Sequence, residues 1–114
     1  PLLEGRRRAS WWPPNDGFVG KPRTETLRAG YVFDRYGEPG GRFVAPAGTP
    51  LSRRAMAPGA ERKRFSTYRV IRPFDAQSGR TAPWFNRRGG GVQHEMPMSM
   101  RELMRQGYIE EINP

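Results

Sequence analysis

Glycine and proline interrupt this sequence along its whole length, and they constrain the fold more than any other feature. The chain has 14 glycines and 12 prolines among 114 residues, above the average usage of roughly 7% and 5%. Both residues break regular elements, so long continuous helices cannot dominate. We expect a small core with long Gly/Pro-rich loops in a single domain, because one hydrophobic core needs roughly 50 to 200 residues.

The inventory of charged and metal-binding side chains excludes several classes of protein. Cysteine is absent, which excludes disulfides, thiolate nucleophiles and Cys-based zinc sites. His94 is the single histidine and cannot build a metal cluster alone. No run of about 18 apolar residues is present, and we expect no membrane span. The net charge of +9 indicates an anionic partner.

The ends of the sequence predict how the domain is bounded. Residues 1–10 are polar and basic without periodicity, and we expect a flexible arm or linker there. The folded domain is predicted over 11–114, beginning with an anchored loop in which Trp11-Trp12-Pro13-Pro14 runs into the turn Asn15-Asp16-Gly17. Because the sequence starts at Pro1 without an initiator Met, we expect a domain excised from a longer polypeptide.

Short strands and one helix are predicted between the glycines and prolines, which indicates an α+β fold. The predicted helix has a capping box of Ser99 and Glu102, an apolar face, and a stop at Gly107. In the clearest strand, alternation places Ser66, Tyr68 and Val70 on one face. The predicted strands, which are rich in β-branched and aromatic residues, span 30–35, 42–45, 65–71, 92–96 and 108–112.

Most chemical motifs that would identify an enzyme are absent from the sequence. Gly89-Gly90-Gly91 leads into a strand and does not match a phosphate-binding loop, and no hydrolytic triad is recognisable around His94. A basic cluster fits a solvated face or a nucleic-acid-binding module, although no zinc finger or recognition helix accompanies it. The cluster comprises Arg53, Arg54, Arg62, Lys63, Arg64, Arg69 and Arg72.

Several short motifs follow one another in a fixed order along the chain. They are Trp12-Pro13-Pro14-Asn15-Asp16-Gly17-Phe18, Asp34-Arg35-Tyr36-Gly37, Gly41-Arg42-Phe43-Val44-Ala45-Pro46, Gly48-Thr49-Pro50, Ala82-Pro83-Trp84-Phe85, Gly89-Gly90-Gly91-Val92-Gln93 and Gly107-Tyr108-Ile109. In this order they resemble the tuberculosis necrotizing toxin family of NAD glycohydrolase domains in bacterial toxins, with relatives in fungi. The resemblance covers nearly the whole chain from Trp11. Two departures are His94, where the family often has Tyr, and the charged pair Arg87-Arg88.

The resemblance implies a fold, a reaction and three principal site residues. It implies a compact mixed or antiparallel sheet related to ADP-ribosyltransferases, and metal-independent hydrolysis of the nicotinamide-ribose bond of NAD, which is substrate rather than cofactor. The family's site residues fall on Arg35 and Gln93 as catalytic residues and on Phe43 as a substrate contact. Tyr36 and Trp84 are further candidates for pocket walls, and Arg54 for a phosphate contact.

Each of the principal residues also has a plain structural interpretation. Arg35 offers a fork of donors for pyrophosphate or ribose oxygens, but it could instead form a surface ion pair with Asp34 or Glu38. Phe43 could stack on nicotinamide or simply fill the core. Gln93 could bind ribose hydroxyls or orient water, with the glycines letting the backbone approach substrate, or it could be a strand-edge amide.

The same resemblance implies a biological setting. We expect the C-terminal domain of a secreted bacterial toxin that acts in the target-cell cytosol, with a cognate, acidic immunity protein covering the cleft. The alternatives are an ADP-ribosyltransferase that modifies a macromolecule, for which the usual catalytic Glu has no evident counterpart, and a nucleic-acid-binding module without enzymatic activity.

Overall fold

The computed structural model describes residues 13–56, 58–84 and 87–112. The predicted arm over 1–10 and the pair Trp11-Trp12 lie outside the described residues. Within these ranges, seven strands and one α-helix are connected by loops and by three short 3₁₀ turns, Pro14–Gly17, Leu51–Arg53 and Ala60–Arg62. The elements are β1 (Arg23–Leu27), β2 (Val32–Tyr36), β3 (Phe43–Pro46), β4 (Phe65–Val70), β5 (Phe74–Arg80), β6 (Val92–Glu95), α1 (Met100–Arg105) and β7 (Ile109–Ile112).

The strands form one curled sheet in the order β1-β5-β6-β3-β2-β4-β7. Every pairing between neighbouring strands in this sheet is antiparallel, so the antiparallel form of the predicted sheet is confirmed. Strand β2 lies near the centre, with Phe33 opposite Tyr68 of β4, and β1 and β7 are the edges.

All five predicted strands are confirmed to within two residues at their ends, but β1 and β5 were not predicted. Four of the five β1 residues are exposed, and only Leu27 is buried. Strand β5 starts directly after Pro73 and contains Gly79, both of which weaken a strand signal. These two strands are therefore defined by pairing with each other and with β6 rather than by local composition.

The core lies between the sheet and α1. The rings of Phe33 and Tyr68 stack with centroids 5.5 Å apart, and Met100 and Leu103 of the helix are fully buried against them. Alternation in β4 is as predicted, since Ser66, Tyr68 and Val70 are its buried residues. Burying a side chain of this size stabilises the fold by roughly 1.5–3 kcal/mol.

The helix forms only half of the predicted capping box. The Ser99 hydroxyl accepts a hydrogen bond from the backbone N–H of Glu102 at 3.1 Å. The Glu102 carboxylate accepts from the side chains of Arg105 and Gln106 and so supports the last turn of the helix. The predicted stop at Gly107 is confirmed, because Gly107 adopts a φ of +80° and the Tyr108 N–H donates to the Leu103 carbonyl at 2.9 Å.

Candidate active site

Five of the six predicted site residues line one crevice beside the middle of the sheet. Arg35 and Tyr36 reach it from β2, Phe43 from β3, Gln93 from β6, and Arg54 from the segment after the second 3₁₀ turn. They come from four separate parts of the sequence. The fold therefore brings together the side chains that the motifs predicted.

Arg35 is buried and holds the turn between β2 and β3. Its side chain is only 6% exposed. Its Nε donates to the carbonyl of Glu38 at 3.0 Å, and its Nη1 donates to the carbonyl of Phe43 at 2.9 Å. The guanidinium lies against Gly37, where a Cβ would come within 2.8 Å of Nη2. Arg35 is therefore not at the surface, where the alternative prediction of an ion pair with Asp34 or Glu38 placed it.

Arg54 is fixed in the crevice by Asp34, a residue to which the sequence analysis gave no role at the site. The Arg54 Nη2 lies 2.6 Å from Asp34 Oδ1, with both side chains almost completely buried. Arg54 also donates to the Thr49 carbonyl through Nε and Nη2, and Asp34 Oδ2 accepts from the Gly48 N–H at 2.9 Å. The Arg54 guanidinium stands 5.1 Å from the centroid of the Tyr36 ring.

Gln93 connects the sheet to the turn at Pro14–Gly17. Its side chain is 5% exposed, and its Nε2 donates to the Asp16 carbonyl at 2.9 Å. Asn15 and Asp16 both have a φ of +54°, a left-handed conformation that is uncommon outside glycine. A strained turn therefore lies beside the crevice and is joined to it by the hydrogen bond from Gln93.

Phe43 serves as core and as crevice wall at once. It is 4% exposed and packs against Phe18 in a small apolar cluster, separate from the cluster beneath α1. Its ring also lines the crevice. The two interpretations of this residue are compatible, because packing on one side of the ring fixes the other side toward the crevice.

Trp84 lies apart from the other five predicted residues. It lines a neighbouring depression formed with Pro13, Asn15 and Phe18, and its backbone bridges to Arg87. The structure therefore places Trp84 behind the strained turn rather than in the crevice.

The glycine triplet packs closely against the protein itself. A Cβ on Gly89 would lie 2.7 Å from the Ala82 carbonyl oxygen, and one on Gly91 would lie 2.8 Å from the Arg53 carbonyl oxygen. The Arg53 Nη1 also donates to the Gly89 carbonyl. The close backbone approach that glycine permits thus joins two loops, which differs from the predicted approach to a substrate.

The crevice holds little free space between the described residues. Its free volume is about 30 Å³, comparable to the volume of one water molecule and far below the roughly 300–1,000 Å³ of typical ligand sites. A ligand of the usual size fits only after the loops beside the crevice move apart. The Pro14–Gly17 turn and the loop that carries Arg54 and Ala55 face each other here, since a Cβ on Gly17 would come within 2.7 Å of Ala55 Cβ.

The predicted basic cluster does not form one open face. Arg54 is paired inside the crevice, whereas Arg64 and Arg69 pair with Glu111 and Glu110 on β7. Arg72 stacks on the Tyr108 ring at 4.1 Å from its centroid. The fold thus distributes these charges over the crevice and the outer strands, which weakens the case for a nucleic-acid surface made from this cluster.

Within residues 13–56, 58–84 and 87–112, no three His, Asp or Glu side chains gather in a way that would ligate a metal ion. None of the helices in these ranges has the length and apolar character needed to cross a membrane.

Comparison with known proteins relates the chain to one family. The family model described as tuberculosis necrotizing toxin matches residues 26–112. The chain is also 29% identical over 115 residues to the conidial surface nicotinamide adenine dinucleotide glycohydrolase nadA of Aspergillus fumigatus. That alignment covers 90% of this chain and 49% of the relative, so the chain spans about half the length of the curated protein that it matches.

Solved structures of several protein complexes contain a chain with the same fold. Tuberculosis necrotizing toxin, complexed with its immunity factor, superposes with a TM-score of 0.70 at 22% identity, over 87% of this chain and 60% of that one. Rhs1-CT, in complex with its cognate immunity protein, has a TM-score of 0.60 at 18% identity, over 90% and 84%. Tse6 in complex with Tsi6 has a TM-score of 0.57 at 18% identity, over 81% and 72%.

Proposed function

Because the chain belongs to the tuberculosis necrotizing toxin family, we propose that it hydrolyses NAD to nicotinamide and ADP-ribose. The observation that carries this proposal is the convergence of five predicted side chains in one buried crevice. The similarity to a fungal NAD glycohydrolase over 90% of the chain supports the same substrate. The crevice combines guanidinium groups, an amide and aromatic rings, which suits a dinucleotide with two phosphates and two flat bases.

The reaction demands little acid-base chemistry from the protein. Nicotinamide is cationic while bound to ribose and leaves as a neutral molecule, so it needs no general acid. The site has to support the oxocarbenium-like ribose and admit one water. Gln93 is suited to both tasks, because its amide donates and accepts hydrogen bonds and already fixes the Asp16 carbonyl.

Roles for the other crevice residues follow from their positions. Arg35 and Arg54 bring two guanidinium groups to the crevice, and we assign them to the pyrophosphate or ribose oxygens. Phe43 and Tyr36 would pack against the nicotinamide ring and exclude bulk water. Trp84, which lies behind the strained turn, would support that turn instead of contacting substrate.

The proposed biological setting is supported by two of the solved structures, tuberculosis necrotizing toxin with its immunity factor and Rhs1-CT with its cognate immunity protein. We propose that this domain is the C-terminal part of a secreted bacterial toxin that depletes NAD in the cytosol of a target cell. An immunity protein would then protect the producing cell by covering the crevice. The net charge of +9 favours an acidic inhibitor, since complementary charge accelerates association.

Incubation of the domain with NAD, followed by chromatography of the products, tests this function. We expect nicotinamide and free ADP-ribose in equal amounts. ADP-ribose attached only to an added protein would support the ADP-ribosyltransferase alternative. Well-folded protein that leaves NAD intact over hours would contradict both enzymatic proposals.

A further inference from the structure

A second concavity lies on the sheet beside β1, β5 and β6, and its free volume is much larger than that of the crevice. Its volume is about 620 Å³, within the range of roughly 300–1,000 Å³ that is usual for small-molecule sites. Tyr31, Ser78 and His94 line it, and none of these three residues belongs to the crevice. We call this concavity the β1 groove.

A chain of hydrogen bonds forms the floor of the β1 groove. The Tyr31 hydroxyl lies 2.7 Å from His94 Nε2, and the Ser78 hydroxyl lies 2.7 Å from His94 Nδ1. His94 is only 2% exposed, and burial lowers the pKa of its imidazole. The ring is therefore neutral at pH 7, with one nitrogen donating and the other accepting.

This arrangement leaves one hydroxyl hydrogen available. If His94 donates to Ser78, then Tyr31 donates to His94 and the Ser78 hydrogen is left over. If His94 donates to Tyr31, the Tyr31 hydrogen is left over instead. In either tautomer, one O–H on the floor can donate to a further acceptor, and a ligand oxygen is such an acceptor.

Positive side chains surround this floor. Arg23 is paired in register with Ser78, so both side chains stand on the same face of the sheet. Arg80 lines the groove and is anchored by a hydrogen bond of 2.9 Å from its Nη1 to the Gly90 carbonyl. Lys21 adds a third cation. Glu25 also lines the groove and carries a negative charge. Its Oε1 lies 3.8 Å from His94 Nδ1.

An apolar wall completes the β1 groove. Val19, Pro46 and Val92 line it, and Val19 is 58% exposed. A flat ring could be covered by these side chains while its charged substituent meets the cations. The volume of the groove, its cationic side chains and its apolar wall therefore favour a ligand with one anionic group and one flat apolar group.

We propose that the β1 groove is a second ligand site, distinct from the crevice, which binds a phosphate-bearing small molecule of mononucleotide size. The phosphate lies between Arg23 and Arg80 and accepts the available hydroxyl hydrogen of Ser78 or Tyr31. The base packs on Val19 and Val92. Because this concerns binding alone, it does not depend on NAD hydrolysis.

Titration of the ¹⁵N-labelled domain with AMP at low salt tests the site. We expect saturable shifts of the amides of Glu25, Ser78 and Gly79, smaller shifts with inorganic phosphate, and none with adenosine. The double variant Arg23→Gln/Arg80→Gln should weaken AMP binding at least about tenfold, because charge-assisted hydrogen bonds are lost. Glu25→Gln should tighten binding, since it removes the opposing charge.

The matched control is Arg62→Gln/Lys63→Gln, which removes the same charge from an exposed turn outside the groove. It should leave AMP binding at the wild-type level. The proposal is overturned if the control weakens binding as much as the groove variant, if adenosine binds as well as AMP, or if AMP shifts only crevice amides such as those of Gln93 and Ala55.

Discussion

Gln93 combines a proposed role in catalysis with a defined position in the structure. Its amide fixes the Asp16 carbonyl at 2.9 Å and lines the crevice. We expect Gln93→Ala to lower NAD turnover at least about tenfold, which corresponds to roughly 1.4 kcal/mol of barrier, and Arg35→Ala to do the same. The measurement is kcat/KM for nicotinamide release by variants whose folded state is verified by circular dichroism.

Gln77→Ala is the matched control for that prediction. The Gln77 amide is also on a strand, but it is exposed and donates only to Thr24 on the surface, at 2.9 Å. It should retain wild-type turnover. Equal rates in Gln93→Ala, Arg35→Ala and the wild-type protein would show that the site lies elsewhere.

The buried pair of Asp34 and Arg54 should matter for stability far more than the pairs on the surface. Their side chains are 3% and 6% exposed, so Asp34→Ala leaves an uncompensated buried guanidinium and should lower the free energy of unfolding by about 3–5 kcal/mol. Glu110→Ala breaks an exposed pair with Arg69 and should lower it by about 0–1 kcal/mol. Urea unfolding measures both.

Asp34→Asn refines the same comparison. It keeps an acceptor for the Gly48 N–H while it removes the charge, so its loss should fall between those of Asp34→Ala and Glu110→Ala. Similar small losses for all three variants would mean that the buried pair contributes no more than a surface pair.

His94 predicts how stability depends on pH. Burial lowers its pKa below 6.5 in the folded protein, so the unfolded chain binds more protons as the pH falls through 6.5. Stability should therefore be full above about pH 7 and decline below about pH 6.5. Because His94 is the only histidine, NMR titration of its ring proton gives the folded pKa directly, and a midpoint at or above 6.5 would contradict the prediction.

At the scale of elements, the turn Pro14–Gly17 should be sensitive to substitution of its glycine, Gly17. Gly17 has a φ of +87°, and a Cβ there would lie 2.7 Å from Ala55 Cβ. Gly30 has a similar φ of +93° with open space around it. Both Gly→Ala variants incur the left-handed penalty of roughly 1–2 kcal/mol, but only Gly17→Ala also adds a clash, of about 1–3 kcal/mol.

Urea unfolding of Gly17→Ala and Gly30→Ala separates the two contributions. Gly17→Ala should be the less stable of the two, and it should shift the amides of Asp16 and Gln93, which are joined by the hydrogen bond from Gln93 Nε2 to the Asp16 carbonyl. If the two variants lose equal stability, then the turn is free to move away from Ala55 and is not packed as tightly as described.

Strands with a buried face could be predicted from the sequence, whereas strands defined by pairing could not. The alternation in β4 follows directly from Ser66, Tyr68 and Val70 facing the core. Strand β1 has an exposed polar surface, and its pairing with β5 spans about fifty residues of sequence. Local patterns carry no information about such a partner.

The motifs predicted Arg35, Phe43 and Gln93 as residues of the candidate site. They did not predict the role of Asp34, although it belongs to the same motif as Arg35, because its pairing with Arg54 joins distant segments. The cluster of Tyr31, Ser78 and His94 was missed for a related reason, since Ser78 lies on the unpredicted strand β5. A buried network of polar side chains becomes recognisable only after the chain is folded.

At the scale of the whole molecule, the strands that contribute core residues also contribute crevice residues. Strand β2 contributes Phe33 to the core beneath α1 and Arg35 to the crevice. The segment from β6 likewise contributes Met96 to the core and Gln93 to the crevice. Because the rigid side of the crevice is built on core strands, opening for substrate has to occur on the side of the loops.

Hydrogen exchange should show that the loops beside the crevice open more readily than the core strands. The Ala82 N–H donates to the Gly17 carbonyl and the Gly89 N–H donates to the Ser52 carbonyl, each at 2.9 Å, and the Val70 N–H donates to the Tyr31 carbonyl at the same distance. The three hydrogen bonds have equal length, but the first two connect loops near the crevice, whereas Val70 lies in the core. We expect Ala82 and Gly89 to show at least about tenfold lower protection than Val70, because loops open locally at a lower free energy than core strands. Native-state exchange followed by NMR measures this difference. Equal protection at all three amides would mean that the crevice opens only when the whole domain unfolds, which is incompatible with a nucleotide entering a volume of about 30 Å³ in the folded protein.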